Sequence, residues 1–168
     1  MLVLISGLPG SGKSYFGQEL ANAIDAVYLN SDKVRIQMNA SGKYQEKDKL
    51  SVYRQMMSEA SKAIDAGRHV VVDATFYKRS FRELFEKLAE SRGTPQHIIE
   101  VRADESTIRR RLSSGREVSE ADYKVYETIR DEFEEITVPH LVLTSTNSNI
   151  EEMLHKAIEY TGHASGGN

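Results

Sequence analysis

The sequence predicts a three-layer α/β domain built on a five-stranded parallel sheet, with a helical lid. Three observations predict it. Gly7-Leu8-Pro9-Gly10-Ser11-Gly12-Lys13-Ser14 is a complete G-x-x-x-x-G-K-S loop, set between an apolar run, Met1 to Ile5, and a stretch of helical period. Five short apolar runs alternate with helical patterns along the chain. Neither an internal repeat nor a Gly-, Pro- or Ser-rich linker divides the 168 residues, so a single domain is expected over 1–162, with a frayed tail over 163–168.

The elements follow in order. Met1 to Ile5 reads as a buried strand, and Tyr15 to Ile24 carries Phe16, Leu20, Ala23 and Ile24 at helical spacing. Ala26 to Asn30 is a second strand, after which Ser31 and Asp32 cap a short helix, Lys33 to Met38. A polar connection, Asn39 to Tyr44, leads to a long helix over about Glu46 to Ala66, stopped by Gly67. Arg68 to Asp73 is a third strand, whose valines suit burial on both faces. Ala74 to Lys78 is a loop, Ser80 to Ser91 a helix, and Gln96 to Val101 a fourth strand. Asp104 caps Glu105 to Leu112. Ser113 to Val118, flanked by arginines, suits a cover over the site, and Ser119 with Asp122 opens a helix to about Ile136. Pro139 to Leu143 is a fifth strand; Asn149, with Glu152, caps a last helix to about Tyr160. Right-handed crossovers then gather the loops at Gly7, Ser31, Ala74, Ala103 and Thr144 along one edge of the sheet.

Composition narrows the function. Hydrophobic residues make up 39% and charged residues 28%, as in ordinary globular proteins. No apolar run is long enough to span a bilayer, and the apolar start runs straight into the glycine loop rather than a cleavage site. Cytoplasm is the expected location, where nucleotide is found. With no cysteine, thiolate metal sites and thiol catalysis are excluded. A net charge of −3 argues against unspecific coating of nucleic acid, while leaving room for a local basic groove. The five histidines are scattered without metal-ligand spacing.

The chemistry begins at the glycine loop. Its amides turn inward around a polyphosphate, and the following helix adds positive potential. Gly7, Pro9, Gly10, Ser11, Gly12, Lys13, Ser14 and Tyr15 are thus the expected nucleotide contacts, Lys13 reaching the terminal phosphates and the Ser14 hydroxyl ligating magnesium. Asp73 closes a valine strand and is expected to hold magnesium beside Ser14; the bland reading is a loop aspartate bonding nearby amides. Asp32, with Arg35 one turn on, fits a carboxylate that takes the proton of an acceptor hydroxyl and a cation that anchors the acceptor. An N-cap aspartate with an i,i+3 ion pair accounts for the same residues. Of Arg109, Arg110, Arg111 and Arg116, a helix aims only one or two inward; Arg111 and Arg116 are the candidates for neutralising the transferring phosphoryl. Lys78, Arg79 and Arg82 follow the third strand and offer charge to an anionic acceptor, and Tyr44 and Tyr77 are placed to stack on a base.

These pieces together resemble the polynucleotide-kinase-like branch of phosphate-loop kinases, to which zeta-toxin-like kinases of nucleotide sugars are related. The matching stretches are the glycine loop, Asn30-Ser31-Asp32-Lys33-Val34-Arg35, Val71-Val72-Asp73-Ala74-Thr75 with Arg82, and the Arg111 to Arg116 cover. The resemblance implies a nucleoside-kinase-like P-loop NTPase fold and an ATP- and Mg2+-dependent transfer to a hydroxyl. It also implies Asp32 as general base, Arg35 on the acceptor and a cover arginine on the phosphoryl; Thr75, Arg79 and Arg82 complete the expected acceptor contacts. A polynucleotide 5′-hydroxyl ranks first as acceptor, ahead of a small metabolite such as a sugar, nucleoside or nucleotide sugar. One departure stands out: bacterial polynucleotide kinases tend to carry asparagine where this chain has Phe76, and Asp-Ala-Thr-Phe looks more like a group of small AAA-type kinases. A GTPase switch would need Asp-x-x-Gly after the third strand and a base-reading Asn-Lys-x-Asp; Asp73-Ala74-Thr75-Phe76 and Thr144-Ser145-Thr146-Asn147 supply neither. A ring-forming ATPase would need a small helical domain after the nucleotide core.

Overall fold

The computed structural model describes residues 1–40, 42, 45–113 and 120–163, the side chains of 120–122 excepted. Five strands, β1 (Leu2–Ser6), β2 (Ala26–Asn30), β3 (His69–Asp73), β4 (Gln96–Arg102) and β5 (Leu141–Thr144), form one parallel sheet in the order β2-β3-β1-β4-β5. Among the described residues, seven helices connect or follow them: α1 (Lys13–Ala23), α2 (Ser31–Gln37), α3 (Glu46–Asp65), α4 (Arg79–Arg92), α5 (Glu105–Ser113), α6 (Glu120–Asp131) and α7 (Ile150–Thr161).

Strand side chains alternate between two cores, as a two-residue repeat requires. Leu2, Leu4, Val70 and Val72 face α3 and α4, where Met56, Phe81 and Phe85 close the layer. Val3, Ile5, Val71 and Ile99 face α1 and α7, packed on Phe16, Leu20, Met153 and Ala157. Strand β1 is buried throughout, which is why its sequence runs apolar without a polar break. The order sets β1 between β3 and β4, so the loop that leaves β1 lies beside the ends of both neighbours. Among the described residues, no helix is long and apolar enough to cross a membrane.

Local departures have tertiary causes. Helix α6 ends at Asp131, not near Ile136, because the following segment is drawn onto the loop after β3. There the Glu134 amide donates to Tyr77 O at 2.8 Å, and Ile136 enters the core. Asn30, rather than Ser31 or Asp32, caps α2. Asn149 makes no cap bond to α7; its amide turns back to Thr144 O and the Thr146 amide. Asp104 does cap α5, accepting from the Thr107 amide at 2.8 Å. The capping pair Ser119 and Asp122, the cover residues 114–118 and the tail residues 164–168 lie outside the described part.

Candidate active site

The phosphate loop leaves the buried end of β1 and enters α1 through Gly12, whose φ of 89° is left-handed. A side chain there would pay about 1–2 kcal/mol for that backbone. Gly7 is held by proximity instead: a Cβ on it would sit 2.5 Å from Val101 O on β4. Its amide donates to Thr75 O at 3.3 Å, which joins the start of the loop to the end of β3. The Ser11 amide closes the loop's own turn on Leu8 O, and the Ser11 side chain is buried. Helix α1 has no side-chain cap and no acidic residue in its first turn. Its leading amides and dipole are therefore left for an anion, in the setting that binds phosphates. Lys13 and Ser14 stand half-exposed at this end, while Tyr15 points to solvent.

Beside Ser14 lies a buried polar cluster. Asp73 is fully buried; its Oδ2 accepts from Tyr28 Oη at 2.7 Å and from Asn30 Nδ2 at 2.6 Å. Asn30 Nδ2 also lies 3.4 Å from Ser14 Oγ, and Tyr28 donates to Ser14 O at 3.1 Å. Burial, and next the adjacent Asp73 charge, push the Tyr28 phenol above its usual range, so it stays protonated and donates. Asp73 Oδ1 has no hydrogen-bond partner among the described residues. Leaving a carboxylate oxygen unpaired in the interior is costly. Asp73 and the Ser14 hydroxyl share Asn30 Nδ2 as a neighbour next to the phosphate cradle, and hard oxygens of this kind fit magnesium, which takes few protein ligands and completes its shell with phosphates and water.

Helix α2 carries the proposed base. Asn30 Oδ1 accepts from the Asp32 and Lys33 amides, each at 3.0 Å, which frees the Asp32 side chain from the capping role that the sequence left open. Asp32 is exposed, on the first turn, and Arg35 is half-buried. Burial pushes the Tyr53 phenol up to about 12, with the positive charge of Arg35 acting in the opposite direction. Tyr53 Oη in turn receives the Phe76 amide at 3.1 Å and lies 3.5 Å from Thr75 Oγ1.

Phe76 is fully buried and left-handed, with φ of 48°. For a bulky residue such a backbone costs on the order of 1–3 kcal/mol and persists only where surroundings enforce it. Arg82 is a main enforcer. It is 6% exposed, and donates to Phe76 O at 2.7 Å and to Glu135 O at 3.2 Å. The guanidinium expected at the acceptor is committed inward, because Arg82 sits on the same helix face as Phe85 and Ala89. Arg79 is likewise displaced from its expected place. It is exposed, pairs with Glu83 at 2.8 Å, and borders a cleft of about 370 Å3 against Ile136 to Pro139, not the phosphate loop. Tyr77 is buried, holding Lys49 Nζ at 2.9 Å, so it offers no face to a base. Tyr44 and Arg116 lie outside the described residues.

Arg111 reaches the loop. Its guanidinium donates to Gly10 O at 3.3 Å, to Ser145 Oγ at 3.0 Å and to Asn147 Oδ1 at 3.2 Å. Arg109 and Arg110 face outward, Arg109 stacked on Tyr123 at 4.2 Å. From the sequence, Ser145, Asn147, Tyr28, Tyr53 and above all Asn30 have no expected place at the site, Asn30 standing only within a matching stretch. The signal for Asn30 was present: asparagine at a strand end, directly before a helix, is a strong N-cap.

Comparison with known proteins follows the same outline. The family described as AAA domain matches residues 2–136. An uncharacterized protein of Mycobacterium tuberculosis is 26% identical over 113 residues, which is 60% of this chain and 22% of that relative. The match therefore spans about a fifth of the relative's length. A Mycobacterium tuberculosis APS kinase in complex with AMPPNP and APS has the same fold, with a TM-score of 0.79, 23% identity and 96% of both chains covered. A sugar kinase from Janibacter gives a TM-score of 0.74 at 16% identity, covering 98% of this chain and 95% of its own. A gluconokinase from Sinorhizobium meliloti gives 0.72 at 19%, covering 97% and 92%.

Proposed function

This chain belongs to the AAA-domain family, and we propose that within it the protein is an ATP- and magnesium-dependent kinase that transfers the γ-phosphoryl group to a hydroxyl of a small metabolite. The observation that carries this reading is the juxtaposition, through Asn30, of an open helix N-terminus at Ser14, a buried half-paired carboxylate at Asp73 and the helix that bears Asp32.

Lys13 and the loop amides bind the β- and γ-phosphates. Ser14 and Asp73 Oδ1 would hold magnesium, which when bound offsets phosphate charge. Arg35 anchors the acceptor, and Asp32 accepts the proton of its hydroxyl as that oxygen bonds to the γ-phosphorus. The bond from γ-phosphorus to the β-bridging oxygen breaks, and ADP leaves. Arg111, against Gly10 O, supplies positive charge at the loop mouth.

For the acceptor, support comes from the relatives of like fold, whose names describe kinases of a sugar, of gluconate and of APS. With Arg79 and Arg82 turned from the loop, the basic groove expected for a polynucleotide 5′ end loses two of its members. Labelled ATP with a panel of sugars, sugar acids, nucleosides, nucleotide sugars and 5′-hydroxyl oligonucleotides tests the reading. Label on a small hydroxyl compound is expected. Label on oligonucleotides alone would replace the acceptor class, and ATP hydrolysis without transfer to any member would overturn the kinase assignment.

A further inference from the structure

We infer that Asn30 is a positioning residue, a single amide that ties the metal-facing carboxylate Asp73 to the helix carrying Asp32. The inference deepens the proposed kinase reading and rests on it. Asn30 is 8% exposed and spends both ends of its amide. Its oxygen accepts from the Asp32 and Lys33 amides at 3.0 Å, and its nitrogen donates to Asp73 Oδ2 at 2.6 Å, with Tyr28 Oη at 3.3 Å and Ser14 Oγ at 3.4 Å. The amide has one allowed orientation: flipped, it would set an oxygen against the carboxylate and an NH2 against two N–H donors. Asn30 and Asp73 are also register partners at the ends of β2 and β3, so both backbone positions are fixed before the side chains meet.

Two consequences follow from that geometry. With Oδ2 engaged by Asn30 and Tyr28, Asp73 is left one buried oxygen without a hydrogen-bond partner, Oδ1, so its rotamer is decided by its neighbours rather than by a ligand. Because the same amide starts α2, the base on that helix and the metal-facing oxygen share one reference point. Partners that orient a metal-binding side chain in this way are worth about 10- to 100-fold in metal affinity or activity. A serine at position 30 keeps a capping oxygen but is too short to reach Asp73; alanine loses both functions.

The test is calorimetric titration of the whole chain with ATP, with Mg2+ and separately with EDTA. It compares the unaltered protein, Asn30→Ser, Asn30→Ala, Asp73→Asn and the Asn30→Ser/Asp73→Asn double variant. In Asn30→Ser, the gain in ATP affinity on adding Mg2+ is expected to fall about 10- to 100-fold. Affinity without Mg2+ stays within about twofold, the scatter of independent sites. In the Asp73→Asn background the serine should cost no further Mg2+-dependent affinity. Amide exchange at Asp32 and Lys33 should quicken in Asn30→Ala and not in Asn30→Ser. Equal losses with and without Mg2+, no loss, or fully additive losses in the double variant would overturn the inference. Should Asn30→Ala fail to fold, Asn30→Ser carries the test alone. An unaltered protein that binds ATP with this Mg2+ dependence and labels no acceptor would refute the kinase reading and leave the role of Asn30 standing.

Discussion

Replacing Arg82 by methionine separates two roles that the sequence does not distinguish. Methionine keeps the length and apolar character of the stem and removes the guanidinium. The variant loses donors to Phe76 O at 2.7 Å and Glu135 O at 3.2 Å, both from a charged group. Hydrogen bonds to charged groups contribute about 1.5–3 kcal/mol each. Part of that is offset, because burial already disfavours the charged guanidinium and the variant no longer bears this cost. A net loss of about 2–4 kcal/mol is expected, within the range for breaking a buried polar brace. At about 2–4 °C per kcal/mol for a chain of this size, the melting temperature should fall by roughly 4–16 °C. ATP affinity should weaken as well, since Phe76 follows Thr75, whose carbonyl holds the Gly7 amide. The assay is thermal denaturation beside ATP titration, with Arg79→Ala, an exposed change, expected to stay within about 0.5 kcal/mol as control. A melting temperature within about 1 °C of the unaltered protein, with a raised acceptor KM, would refute the brace and return Arg82 to the acceptor.

Asp32→Asn should lower kcat by about 100- to 10,000-fold while leaving ATP affinity nearly unchanged, since a general base acts on the chemical step; near-normal turnover removes that role. Gly7→Ala should destabilise the fold by about 1–3 kcal/mol, the usual cost of overpacking. The added carbon meets a sheet carbonyl at 2.5 Å, and a denaturant melt that coincides with the unaltered protein counts against it. Asp104 gives a pH test. Its bonds from Ser106 and Thr107 hold its carboxyl down at about 2, below the ordinary aspartate value of 3.8. A depressed folded-state pKa means that the carboxylate's contribution is complete above about 3.8 and is lost as pH falls through about 2. Protection of the α5 amides, taken relative to the exchange rate of an unfolded chain at the same pH, should fall across that window, and Asp104→Asn should abolish that fall.

What the sequence revealed was whatever depends on short-range pattern. Strand β2 runs over the expected residues, and β1 and β3 stand out because burial on both faces leaves no polar break. The phosphate loop is legible because its geometry is local. Helix α6 ends early for a reason no window of sequence contains: Glu134 and Glu135 bond to Tyr77 and Arg82, some fifty residues away in the chain. Arg82 misled because a basic residue after a phosphate-site strand invites an anion. Yet Arg82, Phe85 and Ala89 share one helical stripe, and a cation on an apolar stripe signals a buried brace. The acceptor left no trace, since nothing in a single chain says which hydroxyl it meets.

Helix α5 works as a ruler. Its zero mark is fixed by Asp104, and seven residues on, close to two full turns, Arg111 comes round to touch Gly10 O. Inserting one residue between them would swing the guanidinium about 100° off the loop, and inserting a whole turn would carry it roughly 5 Å past. The distance from cap to arginine is therefore as much a specification of the site as either residue.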